Sequence, residues 1–133
     1  ELGLDIDVDA FTRRKVALCL GHIDKVSVFP SMWDLVRGCH GKVPMGIGTG
    51  SSRDHAERIL KNTGLDAYIS VLVSADDIHN HKPHPDTFLK VAELLGANPA
   101  NCLVFEDTQI GIQAGKAGGM TTLLATEGTL QQV

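Results

Sequence analysis

The sequence predicts an α/β fold: a parallel sheet covered by helices on both faces, preceded by a segment that is helical only. Three observations carry this. From Val43 onward, short apolar runs alternate with stretches of helical periodicity, the pattern of strands joined by crossover helices. Cys102-Leu103-Val104-Phe105 is apolar at every position and too short for a helix, as a strand buried on both faces requires. Residues 1–41, by contrast, show no strand pattern and form a different layer or a small second module.

Glu1 to Asp9 is acidic, and Asp9 is expected to cap a helix from Ala10 to Leu20 whose apolar side holds Phe11, Val16, Leu18 and Leu20. Gly21 ends it. Ser31 is expected to cap a second helix with Met32, Trp33, Leu35 and Val36, stopped near Gly38 and bracketed by Pro30 and Gly41. Val43 to Gly48 reads as a strand, with Pro44 near its start where a missing N–H is tolerated. The turn Thr49-Gly50-Ser51-Ser52 leads to a helix from Arg53 to Asn62, with Ala56, Ile59 and Leu60 on one face and Gly64 beyond its end. Tyr68 to Ser74 supplies the next strand. After the loop His81 to Pro85, Pro85 suits the first position of a helix burying Phe88, Val91, Ala92 and Leu95 and ended by Gly96. The Cys102 strand ends in Glu106-Asp107, a helix runs to about Gly118, and Thr121 to Ala125 is the last strand. The tail after Thr126 is polar and carries no signal.

The chain has 133 residues, enough for one domain or a large part of one. Its 43% hydrophobic and 21% charged residues are ordinary for a globular protein. A net charge of −4 argues against nucleic acid, and no apolar run reaches membrane-spanning length. No signal peptide is visible, and Cys19, Cys39 and Cys102 are odd in number and far apart, so reduced core thiols in a cytoplasmic protein are expected. The chain begins Glu1-Leu2-Gly3 without a methionine, and a start further upstream is expected.

Three strand ends carry candidate chemistry, because ligands of open α/β sheets sit outside the carboxyl ends of the strands. At Thr49-Gly50-Ser51, glycine permits close backbone approach, the helix start offers free N–H groups, and the threonine adds a hydroxyl. That set suits a phosphate; a plain helix cap by Ser51 or Ser52 is the simpler alternative. Lys82 sits in a loop stiffened by Pro83 and Pro85, where a fixed ammonium could neutralise a phosphoryl group; a solvated surface lysine is the alternative. Glu106 and Asp107 could hold a hard cation through oxygen, although Asp107 suits a helix cap equally well. His79, His81 and His84 make a zinc site conceivable, but their spacing fits no helical pair and no cysteine is near.

In order and spacing, the Thr-Gly-Ser turn, the Lys-Pro-x-Pro loop and the Phe-Glu-Asp turn resemble motifs two, three and four of the haloacid dehalogenase-like (HAD) superfamily. The resemblance is to the β-phosphoglucomutase and fructose-1-phosphate phosphatase-like subfamily, runs from about Lys42 to Met120, and rests mainly on His81 to Phe88 and Cys102 to Met120. It implies a Rossmann-like core, Mg²⁺, and phosphoryl transfer from a small phosphorylated substrate through an aspartyl-phosphate. By this resemblance Thr49 and Lys82 are catalytic, with Thr49, Gly50, Ser51 and Lys82 around the phosphoryl group. Glu106 and Asp107 are the metal residues, Asp107 binding directly and Glu106 directly or through a further group.

The sequence departs from the family at the first motif, an Asp-x-Asp turn after an apolar strand that supplies the nucleophile and the acid/base. Asp5-Ile6-Asp7-Val8-Asp9 resembles it superficially, but no apolar strand precedes Asp5, and Thr49 follows too soon for a whole helical cap to intervene. Residues 1–41 therefore resemble part of that cap and residues 42–133 the carboxyl-terminal part of the core. The expectation is an inactive chain whose central strand is recruited from upstream residues or another copy, or whose gap closes by re-pairing. The alternative is a non-catalytic remnant that binds phosphate or a protein partner.

Overall fold

The computed structural model describes residues 7–127 and 129–132. Helix α1 spans Val8–Leu20 and is capped by Asp7, whose Oδ1 accepts from the Ala10 amide at 2.9 Å. Asp9, the expected cap, lies instead in the first turn, where its charge still meets the positive end of the helix dipole. Asp5 lies outside the described residues. Helix α2 spans Pro30–Cys39; Pro30 starts it because its missing N–H would be unpaired there anyway. Ser31 is therefore inside the first turn rather than the cap, and its Oγ is buried without a partner among the described residues. No residue of α1 is buried, and α2 buries only Val36. Asn62 ties this segment down by donating to the Ile23 carbonyl at 2.8 Å, and Trp33 and His40 meet Tyr68 edge-on, with centroids 5.5 and 5.0 Å away.

Strands β1 (Gly46–Gly48) and β2 (Val71–Val73) pair in parallel, Gly46 opposite Val71 and Gly48 opposite Val73. Strand β3 (Leu103–Glu106) pairs in parallel with β4 (Thr121–Ala125). The tail, silent in the sequence, adds β5 (Leu130–Gln132) antiparallel to β4. The first two strands are shorter than expected: Val43 to Met45 precede β1, and Tyr68 and Ile69 turn back to the Leu65 carbonyl. Among the described residues the ladders form two groups, β1–β2 and β3–β4–β5, with no hydrogen-bonded pairing of β1 to β3.

Helix α3 (Arg53–Thr63) buries Ala56 and Leu60 and ends at Gly64, whose φ of 77° is the left-handed conformation of a helix stop. Helix α4 (Asp86–Leu94) packs on β1 and β2, and Pro85 sits at its cap rather than inside its first turn. The approach is close because β1 is Gly-Ile-Gly: a Cβ at Gly46 would lie 2.7 Å from Val91 Cγ1, and one at Gly48 2.7 Å from Thr87 Cγ2. Helix α5 (Gln109–Ala117) packs on β3 and β4, with Gly115 against Thr122. Phe88, Ala92, Val104, Ala114 and Met120 form the core where α4 meets α5, with Cys102 against it. Of the three thiols expected in the core, Cys19 is exposed on α1, and Cys39 and Cys102 are only half-buried. Among the described residues no helix is long and apolar enough to cross a membrane.

Candidate active site

The segments that follow β1 and β2 and the end of β3 carry the candidate groups. Thr49 follows β1 directly; its amide donates to the Val73 carbonyl at 2.8 Å, and its Oγ1 accepts from the Ser51 amide at 3.1 Å. The hydroxyl proton thus remains free to donate. Gly50 is exposed, a Cβ there would meet nothing within 4 Å, and its amide has no partner among the described residues. Ser51 is held from behind, its carbonyl accepting from Ala75 at 2.9 Å.

The start of α3 is not capped by serine. Ser52 occupies the cap position without a side-chain bond, and Asp76 Oδ2 accepts from the Arg53 amide at 2.8 Å. Sequence reading missed this second layer. Arg53 reaches the Asp77 carboxylate at 2.6 Å and the Leu72 carbonyl at 3.1 Å, while Asp77 also accepts from the amide and hydroxyl of fully buried Ser74. The two Ser74 hydrogen bonds, against a smaller burial effect and with help from Arg53, hold the Asp77 carboxyl below its ordinary pKa. Ser74-x-x-Asp77 is a capping-box pattern, so the signal was present in the sequence.

Lys82 is not a solvated lysine. Its side chain is 13% exposed, its Nζ lies 4.5 Å from the Phe88 ring centroid, and it binds both Glu106 Oε1 and, at 3.3 Å, the Gly48 carbonyl. One ammonium therefore joins the carboxyl ends of β1 and β3, which share no ladder. Glu106 is 9% exposed, and its Oε2 accepts from the Thr108 hydroxyl at 2.7 Å and amide at 3.2 Å. Burial pushes the Glu106 carboxyl up, but the Lys82 and Thr108 hydrogen bonds and the Lys82 charge outweigh it and leave the group below its ordinary value. Asp107 is exposed and accepts no hydrogen bond from a described residue, so Thr108 rather than Asp107 caps α5.

The structure brings Lys82, Glu106 and the β1 end that leads into Thr49 together at one edge. The donors at the metal position fit Mg²⁺ in part: Asp107 offers a free carboxylate, while both Glu106 oxygens already have protein donors. Mg²⁺ is characteristically held by one or two carboxylates with waters and phosphate completing the octahedron. His79, His81 and His84 are exposed, and no cluster of three His, Cys, Asp or Glu able to hold a metal occurs among the described residues. Asp7 and Asp9 begin a helix rather than end a strand.

Comparison with known proteins shows the family of the chain. Fructose-1-phosphate phosphatase YqaB of Escherichia coli K12 is 44% identical over 117 residues, 87% of this chain and 62% of the relative. The phosphoglycolate phosphatase of the same organism is 34% identical over 102 residues, 76% of this chain and 40% of the relative. The chain thus spans about half the length of these relatives. In structure, a HAD hydrolase of family IA, variant 3, from Entamoeba histolytica superposes with a TM-score of 0.82 over 95% of this chain and 59% of the other, at 23% identity, which is a likeness of fold. The haloacid dehalogenase-like hydrolase family model matches residues 2–119, and the chain belongs to that family.

Proposed function

We propose that this chain forms the phosphate- and metal-binding part of a Mg²⁺-dependent phosphotransfer site acting on a sugar phosphate or other small phosphomonoester. The observation that carries this reading is Lys82: a nearly buried ammonium, shared by the ends of two strands, beside an open loop of free donors. The Gly50 amide and Thr49 hydroxyl would hold the phosphoryl oxygens, and Lys82 would balance their charge. Asp107, with Glu106 beside it, would hold Mg²⁺, which when bound neutralises charge on the transferring group.

The nucleophile would be a carboxylate on a strand lying between β1 and β3, supplied from outside residues 7–132. That carboxylate attacks phosphorus, the bond to the ester oxygen breaks, and the alcohol leaves with a proton from an acid. Water then hydrolyses the aspartyl-phosphate in a phosphatase, whereas a mutase returns the phosphoryl group to a sugar hydroxyl. The two E. coli relatives favour hydrolysis of a small organic phosphate. On this reading residues 1–41 are part of a helical cap over a core built from residues 42–133. The free thiols and the net charge of −4 support a cytoplasmic enzyme without a nucleic-acid partner.

The test is hydrolysis of p-nitrophenyl phosphate and fructose 1-phosphate by the full protein, with and without Mg²⁺, beside Lys82→Ala. Turnover that needs Mg²⁺ and falls at least about a hundredfold in Lys82→Ala is expected. Phosphate binding without turnover would favour the non-catalytic remnant.

A further inference from the structure

The Glu106 carboxylate occupies a space that only glycine leaves open. A Cβ at Gly111, in the first turn of α5, would fall inside the carboxylate itself. Within that space Thr108 decides the orientation. Its hydroxyl donates to Glu106 Oε2 at 2.7 Å and accepts from the Gly111 amide at 3.2 Å. Because the helix amide takes a lone pair, the single hydroxyl proton is directed to Glu106. The Thr108 amide adds a second bond to the same oxygen, leaving Oε1 to Lys82.

We propose that Thr108 is a positioning residue: by fixing the Glu106 carboxylate over Gly111 it fixes where the Lys82 ammonium stands relative to Gly48 and the Thr49 loop. This rests on the reading of Lys82 as the charge that meets the phosphoryl group. The helix-capping role of the hydroxyl and its donor role separate by substitution. Serine keeps both; aspartate keeps the capping acceptor but loses the proton for Glu106.

The experiment is the crystal structure and the steady-state kinetics on p-nitrophenyl phosphate, at saturating Mg²⁺, of the full protein with Thr108→Ser or Thr108→Asp. In Thr108→Ser, Glu106 is expected to stay on Lys82 with kcat within about twofold of the parent. In Thr108→Asp, Glu106 is expected to turn away from Lys82, with kcat at least about tenfold lower and KM changed less than about threefold. Thr108→Val, which adds no charge, is expected to give the same rotation. Glu106 unmoved in both Thr108→Asp and Thr108→Val, or Thr108→Ser as impaired as Thr108→Asp, would overturn the proposal. If the parent hydrolyses no phosphate ester, the phosphotransfer reading fails, and the position of Glu106 in the variants still decides the role of Thr108.

Discussion

At Lys82 the charge of the side chain is answered by one carboxylate and one carbonyl, in surroundings that water scarcely reaches. Removing one member of such a pair leaves the other desolvated and alone. Lys82→Met is therefore expected to destabilise the protein by roughly 3–5 kcal/mol, and Glu106→Gln in the same background to recover most of that loss. Urea unfolding of the single and double variants measures it; two additive losses would mean that the pair is not coupled. Gly111→Ala tests the space rather than the charge. The added methyl meets the Glu106 carboxylate, and a loss of about 1–3 kcal/mol is expected in the same assay. Lys82 was legible in the sequence because two prolines follow it closely and a strand precedes its loop. Gly111 and Thr108 were not, because their importance comes from a carboxylate two residues before Thr108 folding back over the helix start, which no periodicity encodes.

The same contrast holds for whole elements. The order of strands and helices from β1 to β4 follows from hydrophobic alternation and from Gly64 and Gly96, which stop helices in the left-handed conformation. β1 starts only at Gly46 and β2 only at Val71, although Val43 and Tyr68 continue the apolar pattern, since apolar composition does not show where a ladder partner runs out. The polar β5 was missed because its pairing with β4 sets its conformation rather than its own propensity. Also hidden was how α3 is fastened to β2, through Arg53, Asp77 and Ser74. This fastening titrates. Asp77 binds its proton less readily folded than unfolded, so between its folded pKa and its unfolded value near ~3.9 the unfolded chain holds more protons and stability rises with pH. The contribution is complete above that unfolded value and is lost as pH falls through the folded pKa. Asp77→Asn is expected to be less stable at neutral pH and to show a shallower decline in acid. Parallel stability curves for the two proteins from neutral pH down into that acid window would refute the linkage.

Across the whole molecule, no ladder joins β1–β2 to β3–β4–β5 among the described residues. β1 has β2 as its ladder neighbour and β3 has β4, so each has one edge without a ladder partner among the described residues, the Gly48 carbonyl being met by Lys82. Re-pairing, one of the three expected remedies, has not occurred there. Apolar surface accompanies one of the open edges: Leu103 on β3 is 60% exposed. Unpaired edges beside exposed apolar side chains drive association, and a strand entering between β1 and β3 would satisfy both edges at once. Under the proposed function that strand also brings the nucleophile, so assembly state and activity are expected to change together. The 133-residue chain alone is expected to sediment above its 14.2 kDa and to show no Mg²⁺-dependent turnover. A version extended by an upstream apolar strand ending in Asp-x-Asp is expected to lose that association and to gain turnover abolished by Lys82→Ala. Sedimentation of the 133-residue chain at 14.2 kDa, with cooperative unfolding unchanged by the added strand, would show that the two ladders stand without a central partner and would remove the structural ground for placing the nucleophile there.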